Sequence, residues 1–284
     1  MKILVFGASG MLGNAMFRVF GEHSEHEVAA TARSEAARRY FREPLAARLL
    51  TGIDIDNHDS VVRALAAVRP DVVINCVGVV KQVADADDLL QAIPRNTLFP
   101  HRLAQLCRLG GARLVQISTD CVFSGKKGMY SEADEPDATT LYGRSKLLGE
   151  VDAPHAITLR TSIIGTEQSG SRSLVGWFLA QTGPVKGFRR AVFSGLPTVE
   201  LACVIRDHVL TRPELHGLYH VAAEPIDKDA LLRLVAAEYG KDIVIEPSDE
   251  LVIDRSLDAS RFRAATGYVP PPWPELVRRM HAFN

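Results

Sequence analysis

Met1-Lys-Ile-Leu-Val-Phe-Gly-Ala-Ser-Gly-Met-Leu-Gly13 leaves this chain few folds to choose from. Lys2–Phe6 is a short apolar run of strand formers, and Gly7 stops it. Gly10 and Gly13 follow at three-residue spacing and lead into Met11–Phe20, where apolar residues recur with helical period. A strand, a glycine turn and a helix in that order suit a dinucleotide. Gly7 permits the tight turn, Gly10 lets the backbone approach a pyrophosphate, and Gly13 lets the helix pack close to its strand. The helix start then offers free N–H groups and a positive dipole end to the phosphates. Ser9, Met11 and Leu12 share this turn and belong to the same expected cofactor contact. The plainer alternative is that these glycines only close a turn.

Strand and helix signals alternate downstream. Glu27–Thr31, a third signal before Gly52–Asp56, Asp71–Asn75, Arg113–Ser118 and His155–Arg160 read as strands. Helices are expected over Glu35–Arg42 behind Ser34, over Ser60–Val68, and as one or two segments within Asp85–Leu109. Strands separated by helices imply parallel pairing through right-handed crossovers. The fold class is therefore α/β, a Rossmann-type doubly wound parallel sheet. Beyond Arg160 the rhythm breaks. Thr166–Arg172 reads as a loop, and helices are expected over Leu174–Gln181, Leu201–Val209, Lys228–Glu238, Asp258–Thr266 and Pro274–His281. Gly217–Ala222 and Ile243–Glu246 are strand candidates. We expect residues 1–165 to bind the cofactor and 166–284 to form a smaller substrate-binding lobe, with part of 196–210 returning to the first domain.

Composition narrows the function. A net charge of −1 over 284 residues lacks the basic face that nucleic acid or an anionic membrane surface requires. The first apolar run ends at Phe6, too early for a signal peptide, and no later run approaches a membrane span. Cys76, Cys107, Cys121 and Cys203 lack paired metal spacing and suit reduced cytoplasmic thiols. The nine histidines form no zinc motif, so no metal is expected.

Two further stretches carry chemistry. At the end of the second strand an acid would hold the ribose 2′-hydroxyl of NAD. Arg33 and Ser34 stand there instead and offer donors, which suits the 2′-phosphate of NADPH, with NADH the second choice. Asp54 either meets the adenine or caps the next helix. In Tyr142-Gly-Arg-Ser-Lys146 the i,i+4 spacing puts a phenol and an ammonium on one helix face. A cation about 4 Å away would lower the phenol pKa towards that of a general acid at neutral pH.

Together these stretches resemble the extended short-chain dehydrogenase/reductase superfamily, and within it the dTDP-4-dehydrorhamnose reductase family. The resemblance is carried by Ile117-Ser-Thr-Asp-Cys-Val-Phe-Ser-Gly125, Tyr130-Ser-Glu-Ala-Asp-Glu-Pro136 and Leu141-Tyr-Gly-Arg-Ser-Lys-Leu-Leu-Gly-Glu150. It continues in Leu159-Arg-Thr-Ser162, Gly195-Leu-Pro-Thr198, Arg255-Ser-Leu-Asp258 and Pro272-Trp-Pro-Glu275. It implies Thr119, Tyr142 and Lys146 as the catalytic residues of an NADPH-dependent reductase. Hydride would go to C4 of a nucleotide-diphosphate 4-keto-6-deoxy sugar, with Tyr142 as proton donor, in deoxysugar and polysaccharide synthesis. It also sets Cys76, Val77 and Gly78 against the cofactor, and Lys81, Asp120, Val122, Phe123 and Arg255 against the substrate. A homodimer is one assembly it allows.

Departures from the family pattern open other readings. Cys121 stands where rhamnose reductases usually carry tyrosine, and Asn75–Gln82 replaces an alanine-rich stretch. Dehydratases of nucleotide sugars have a Thr-Asp-Glu run that this chain lacks. GDP-fucose synthase has cysteine at the position of Cys121, and its second proton-transfer group falls near Glu167. On an extended chain Cys121 would return to the side of Thr119, so an epimerase-reductase using Cys121 and Glu167 is one alternative. The other is a non-catalytic NADP-binding subunit, like the regulatory subunit of methionine adenosyltransferase.

Overall fold

The structure, a computed structural model, describes residues 1–22, 25–79 and 88–284. Its strands are β1 (Lys2–Phe6), β2 (Glu27–Thr31), β3 (Leu49–Leu50), β4 (Val72–Asn75), β5 (Arg113–Thr119) and β6 (Ala156–Thr161). They continue as β7 (Ile163–Ile164), β8 (Val185–Phe188), β9 (Ala191–Phe193), β10 (Leu196–Pro197), β11 (Gly217–His220), β12 (Ile226–Asp227), β13 (Ile245–Ser248) and β14 (Ile253–Asp254). Seven of them form one sheet in the order β11-β6-β5-β4-β1-β2-β3, every pair parallel. The order reverses between β1 and β4. Open α/β sheets bind ligands at such a switch, outside the carboxyl ends of the strands.

The helices are α1 (Met11–Glu22), α2 (His58–Val68), α3 (Leu89–Ala92), α4 (Phe99–Gly110) and α5 (Leu141–Leu148), then α6 (Leu174–Ala180), α7 (Thr198–Val204), α8 (Lys228–Tyr239), α9 (Ser260–Thr266) and α10 (Trp273–Phe283). Alternation along β1 assigns the layers. Ile3 and Val5 join a core with Met16 and Phe20 of α1, Leu201 of α7 and Leu276 of α10. Leu4 and Phe6 face the other way, onto Val61 of α2 and Phe99 and Leu103 of α4. Both faces are covered, as a parallel sheet requires.

The second lobe is built from short pieces: a three-stranded sheet β12-β9-β14 and the pair β13-β8. Phe193 and Leu231 of this lobe belong to the same buried cluster as Ile3 and Val5, so the two lobes share a core. The chain crosses back twice, since α7 packs on α1 and β11 pairs with β6.

Several expectations shift. Glu35–Tyr40 is a 3-10 helix rather than an α-helix to Arg42. The segment expected over Leu201–Val209 begins at Thr198 and widens into a π-helix over Ile205–Val209. Among the described residues, the one or two helices expected within Asp85–Leu109 are α3, behind the Asp88 cap, and α4, with a π-helical stretch over Ile93–Leu98 between them. The strands β8, β9, β12 and β14 carry no expectation from sequence, because two to four residues are too few for alternation to show.

The entry of α1 depends on Gly13. A Cβ there would lie 2.1 Å from the Gly7 carbonyl oxygen, whereas one on Gly10 would meet that oxygen at an ordinary 3.5 Å. Gly13→Ala should therefore cost about 1–3 kcal/mol by overpacking and lower Tm by several degrees. Gly10→Ala should leave Tm close to wild type. Thermal unfolding of both checks this, and equal Tm values would remove the close-packing role of Gly13.

Candidate active site

A cleft of about 350 Å³ runs from Gly7, Ser9 and Gly10 to Arg33 and Asp54. It opens into a larger one of about 770 Å³ that contains Met11 and Leu12. The two share Gly10, Arg33, Arg172 and the Cys76–Val79 stretch after β4. Gly7 takes φ +90, a conformation that side chains resist, and its carbonyl accepts the Gly10 N–H at 3.0 Å. The loop thus turns its backbone towards the cleft at the start of α1, a cradle that fits a diphosphate.

Gly13 and Ser34 stand outside the lining of these clefts. Gly13 serves the packing described above. Ser34 caps the 3-10 helix, its Oγ accepting from Ala36 N at 3.2 Å, which leaves its hydroxyl proton to donate. Asp54 lines the smaller cleft and accepts from Asp56 N at 3.1 Å. It does not cap α2, where Asn57 accepts from Ser60 N.

The larger cleft brings Thr119, Tyr142 and Lys146 together. Thr119 ends β5, and Thr140 caps α5 by accepting from Gly143 N at 3.2 Å. Tyr142 and Lys146 then project from one face of α5. The Tyr142 phenol is hydrogen-bonded to Thr119, which lowers its pKa, but burial outweighs this and pushes it up. Cys121 adds to the rise. The expected lowering by Lys146 is absent. That ammonium, 7% exposed, donates to the Ile117 carbonyl at 2.6 Å, and burial pulls it down to about 8 against the pull of Glu150 and Cys76. Burial also raises the Cys76 thiol to about 12, so it stays protonated at neutral pH.

Sequence reading missed the residues that hold this arrangement. Asn96, in the π-helical stretch, accepts from Val79 N at 2.9 Å and donates to Ser145 Oγ at 3.1 Å. One amide thus joins the loop after β4 to α5. Glu150 accepts from Ser118 Oγ at 2.6 Å and takes Arg160 bidentately at 2.7 and 2.8 Å. Behind Arg160, His220 Nδ1 lies 3.0 Å from the Tyr130 carbonyl and Nε2 lies 3.4 Å from Arg160 Nη1. Burial and Arg160 lower His220 to about 4, so the ring is neutral, with Nδ1 donating and Nε2 accepting. Ser118, Tyr130, Ser145, Glu150 and Arg160 stand within the stretches that carry the resemblance, whereas nothing local marked Asn96 or His220.

On the substrate side Asp120, Cys121, Glu167 and Arg255 line the large cleft. Val122 and Phe123 do not. They are fully buried in a small core with Tyr130 and Leu257, because the chain turns there. Asp120–Val122 is a 3-10 turn whose Cys121 N–H is held by Thr119 Oγ1 at 3.1 Å, so the extended-strand argument for Cys121 fails although the residue still reaches the cleft. Arg255 Nε donates to the Phe123 carbonyl at 2.9 Å and Nη1 lies 3.8 Å from Cys121 Sγ. Glu167 accepts from Arg172 N at 2.6 Å and Ser173 N at 3.0 Å, which commits one of its oxygens to the loop. Lys81 lies outside the described residues. Among the described residues no cluster of three metal-ligating side chains occurs, and no helix is long and apolar enough to cross a membrane.

Comparison with known proteins bears on this geometry. A probable low-salt glycan biosynthesis reductase of Haloferax volcanii is 33% identical over 182 residues, 62% of this chain and 58% of that protein. The dTDP-4-dehydrorhamnose reductase of Aggregatibacter actinomycetemcomitans is 23% identical over 99% of both chains. The crystal structure of the Bacillus anthracis dTDP-4-dehydrorhamnose reductase in complex with NADP superposes with a TM-score of 0.80 at 20% identity, covering 100% of this chain and 98% of that one. The family model for the RmlD substrate binding domain matches residues 1–231. With that match and this fold, the chain belongs to the RmlD family of extended short-chain dehydrogenase/reductase-like proteins, the group related to the dTDP-4-dehydrorhamnose reductases.

Proposed function

We propose that this protein is an NADPH-dependent reductase of a nucleotide-diphosphate 4-keto-6-deoxy sugar. The observation that carries this reading is the meeting of Thr119, Tyr142 and Lys146 in a cleft continuous with the glycine-loop cleft. The Gly7–Gly10 loop and Arg33 would hold the diphosphate and 2′-phosphate. A nicotinamide cofactor bound there would supply hydride to the substrate carbonyl carbon. Thr119 Oγ1, which here donates to Asp120 Oδ1 at 3.1 Å, would turn its hydroxyl to the carbonyl oxygen beside the Tyr142 phenol, and Tyr142 would give that oxygen its proton. A phenol raised by burial holds its proton at neutral pH, as an acid must. Lys146, held by the Ile117 carbonyl, keeps a positive charge beside the site and would share the cofactor ribose.

Cys121 and Glu167 support a second reading, since both face the same cleft. A 4-keto group acidifies its neighbouring C–H bonds, and an acid and a base across the sugar would add epimerisation. The loop bonds that occupy Glu167 favour the plain reductase. The retained Thr119, Tyr142 and Lys146 favour catalysis over a purely regulatory role. Incubation of the 4-keto sugar with oxidised cofactor in D2O separates the two enzymes, because only an epimerase-reductase exchanges C3 or C5 hydrogens.

Three measurements test the main reading. Tyr142→Phe should cut turnover by roughly 10²-fold or more with NADPH affinity nearly unchanged. Near wild-type turnover would remove Tyr142 from the mechanism. Arg33→Ala should weaken NADPH by roughly tenfold or more and spare NADH, and equal losses would make Arg33 a surface residue. The third is a pH profile. Lys146 is charged below about 8 and neutral above it, so kcat/KM for reduction should be retained on the acid side and fall as pH rises through about 8. A flat profile from pH 7 to 9.5 would show that the Lys146 charge is not needed.

A further inference from the structure

We propose that Arg172, from the second lobe, is a cofactor-binding residue that closes over the glycine loop and grips the cofactor diphosphate. The inference rests on the nicotinamide-cofactor reading above.

Arg172 is the one residue beyond β6 that lines both clefts. Its companions in that position are Gly10 of the glycine loop, Arg33 and the Cys76–Val79 stretch, the residues around the switch between β1 and β4. A dinucleotide crossing that switch lays its diphosphate over the loop. An exposed guanidinium on the facing wall supplies the fork that phosphate oxygens accept.

The backbone that carries Arg172 is fixed at three points. Glu167 takes the Arg172 and Ser173 N–H groups, Ser173 Oγ accepts from Gly176 N at 3.1 Å at the start of α6, and Ser169 is hydrogen-bonded to the Tyr40 hydroxyl. Tyr40 lies on the 3-10 helix that follows Arg33 and Ser34. The 166–172 segment is thus folded on itself where the two clefts meet, with Glu167 lining the larger cleft and Arg172 lining both. Two arginines, one from each lobe, flank the place where the two clefts join. Arg33 follows β2, where the adenosine ribose of a dinucleotide would lie, and Arg172 shares the lining of both clefts with Gly10 of the glycine loop. Their roles divide accordingly. Arg33 distinguishes the 2′-phosphate, while Arg172 serves a group that NADPH and NADH have in common.

The test is direct binding to the full chain, by quenching of intrinsic fluorescence, with Arg172→Gln and Arg172→Lys. Arg172→Gln should weaken NADPH and NADH alike, by roughly tenfold or more, and Arg172→Lys should recover part of the loss. The selective loss expected of Arg33→Ala serves as the contrast. Trypsin cleavage after Arg172 in the wild-type chain should slow when NADPH is added without sugar. Unchanged affinity for both cofactors would overturn the assignment while leaving the reductase reading intact. A loss confined to dTDP-glucose, titrated as a nucleotide sugar, would overturn it too by moving Arg172 to the substrate diphosphate. Failure of wild-type protein to bind either cofactor would instead refute the reductase reading, and this inference with it.

Discussion

The site depends on how closely α5 lies against its neighbours. A Cβ on Gly143 would sit 2.2 Å from the Cys121 carbonyl oxygen, and one on Gly149 would sit 1.8 Å from that of Asn96. The helix is therefore docked backbone to backbone at both ends, on the turn after β5 and on the π-helical stretch before α4. Backbone contacts of this kind leave no slack for a side chain to take up. Tyr142 adjoins the first of these glycines and Lys146 lies between the two, so their reach to Thr119 and Ile117 is set by main-chain geometry. Asn96 and Thr97 then lock the same interface through Ser145, the second by donating to its carbonyl at 2.8 Å.

Burial and charge pull against each other throughout this centre. Desolvation disfavours whichever form is charged, so it raises Tyr142 and Cys76 and lowers Lys146. Glu150 acts against it at Lys146 and is itself held by Arg160, 3% exposed, and Ser118. Removing one partner of such a pair strands the other, a loss of about 3–5 kcal/mol. The pair joins β5, β6 and the end of α5 just behind Thr119. Arg160 also stacks over the Phe123 ring at 5.2 Å, which ties the pair to the small core holding Phe123 and Tyr130. That core explains why Phe123 is a wall behind the site rather than a contact within it.

Much of this was legible in the chain as a string of residues. Gly7, Gly10 and Gly13 announced the first strand, turn and helix because they serve local conformation and contacts between adjacent elements. The i,i+4 spacing of Tyr142 and Lys146 placed them on one face for the same reason. Arg33 was legible as a residue just after β2, and Ser34 beside it caps a 3-10 helix. A serine before a helix can cap and bind at once, since an Oγ that accepts from Ala36 N keeps its own proton to donate. The electrostatic expectation for Tyr142 failed differently. Spacing along a helix gives proximity, but the direction of the Lys146 ammonium was decided by the Ile117 carbonyl, 29 residues away.

The sequence by itself determined the order of strands and helices, the covering of both sheet faces, the glycine loop and the shared face of Tyr142 and Lys146. These follow from periodicity and short-range sterics, which act within a few residues of where they are written. Only the tertiary structure decided how the second lobe meets the first, which way the chain turns after Thr119, and what holds α5 in place. Asn96 to Ser145, Glu150 to Arg160 and Tyr40 to Ser169 are contacts between elements separated along the chain or by a turn, and no local pattern encodes their pairing. Their geometry follows from packing the whole core at once, since each polar group buried in that packing must find its partner where the fold delivers one.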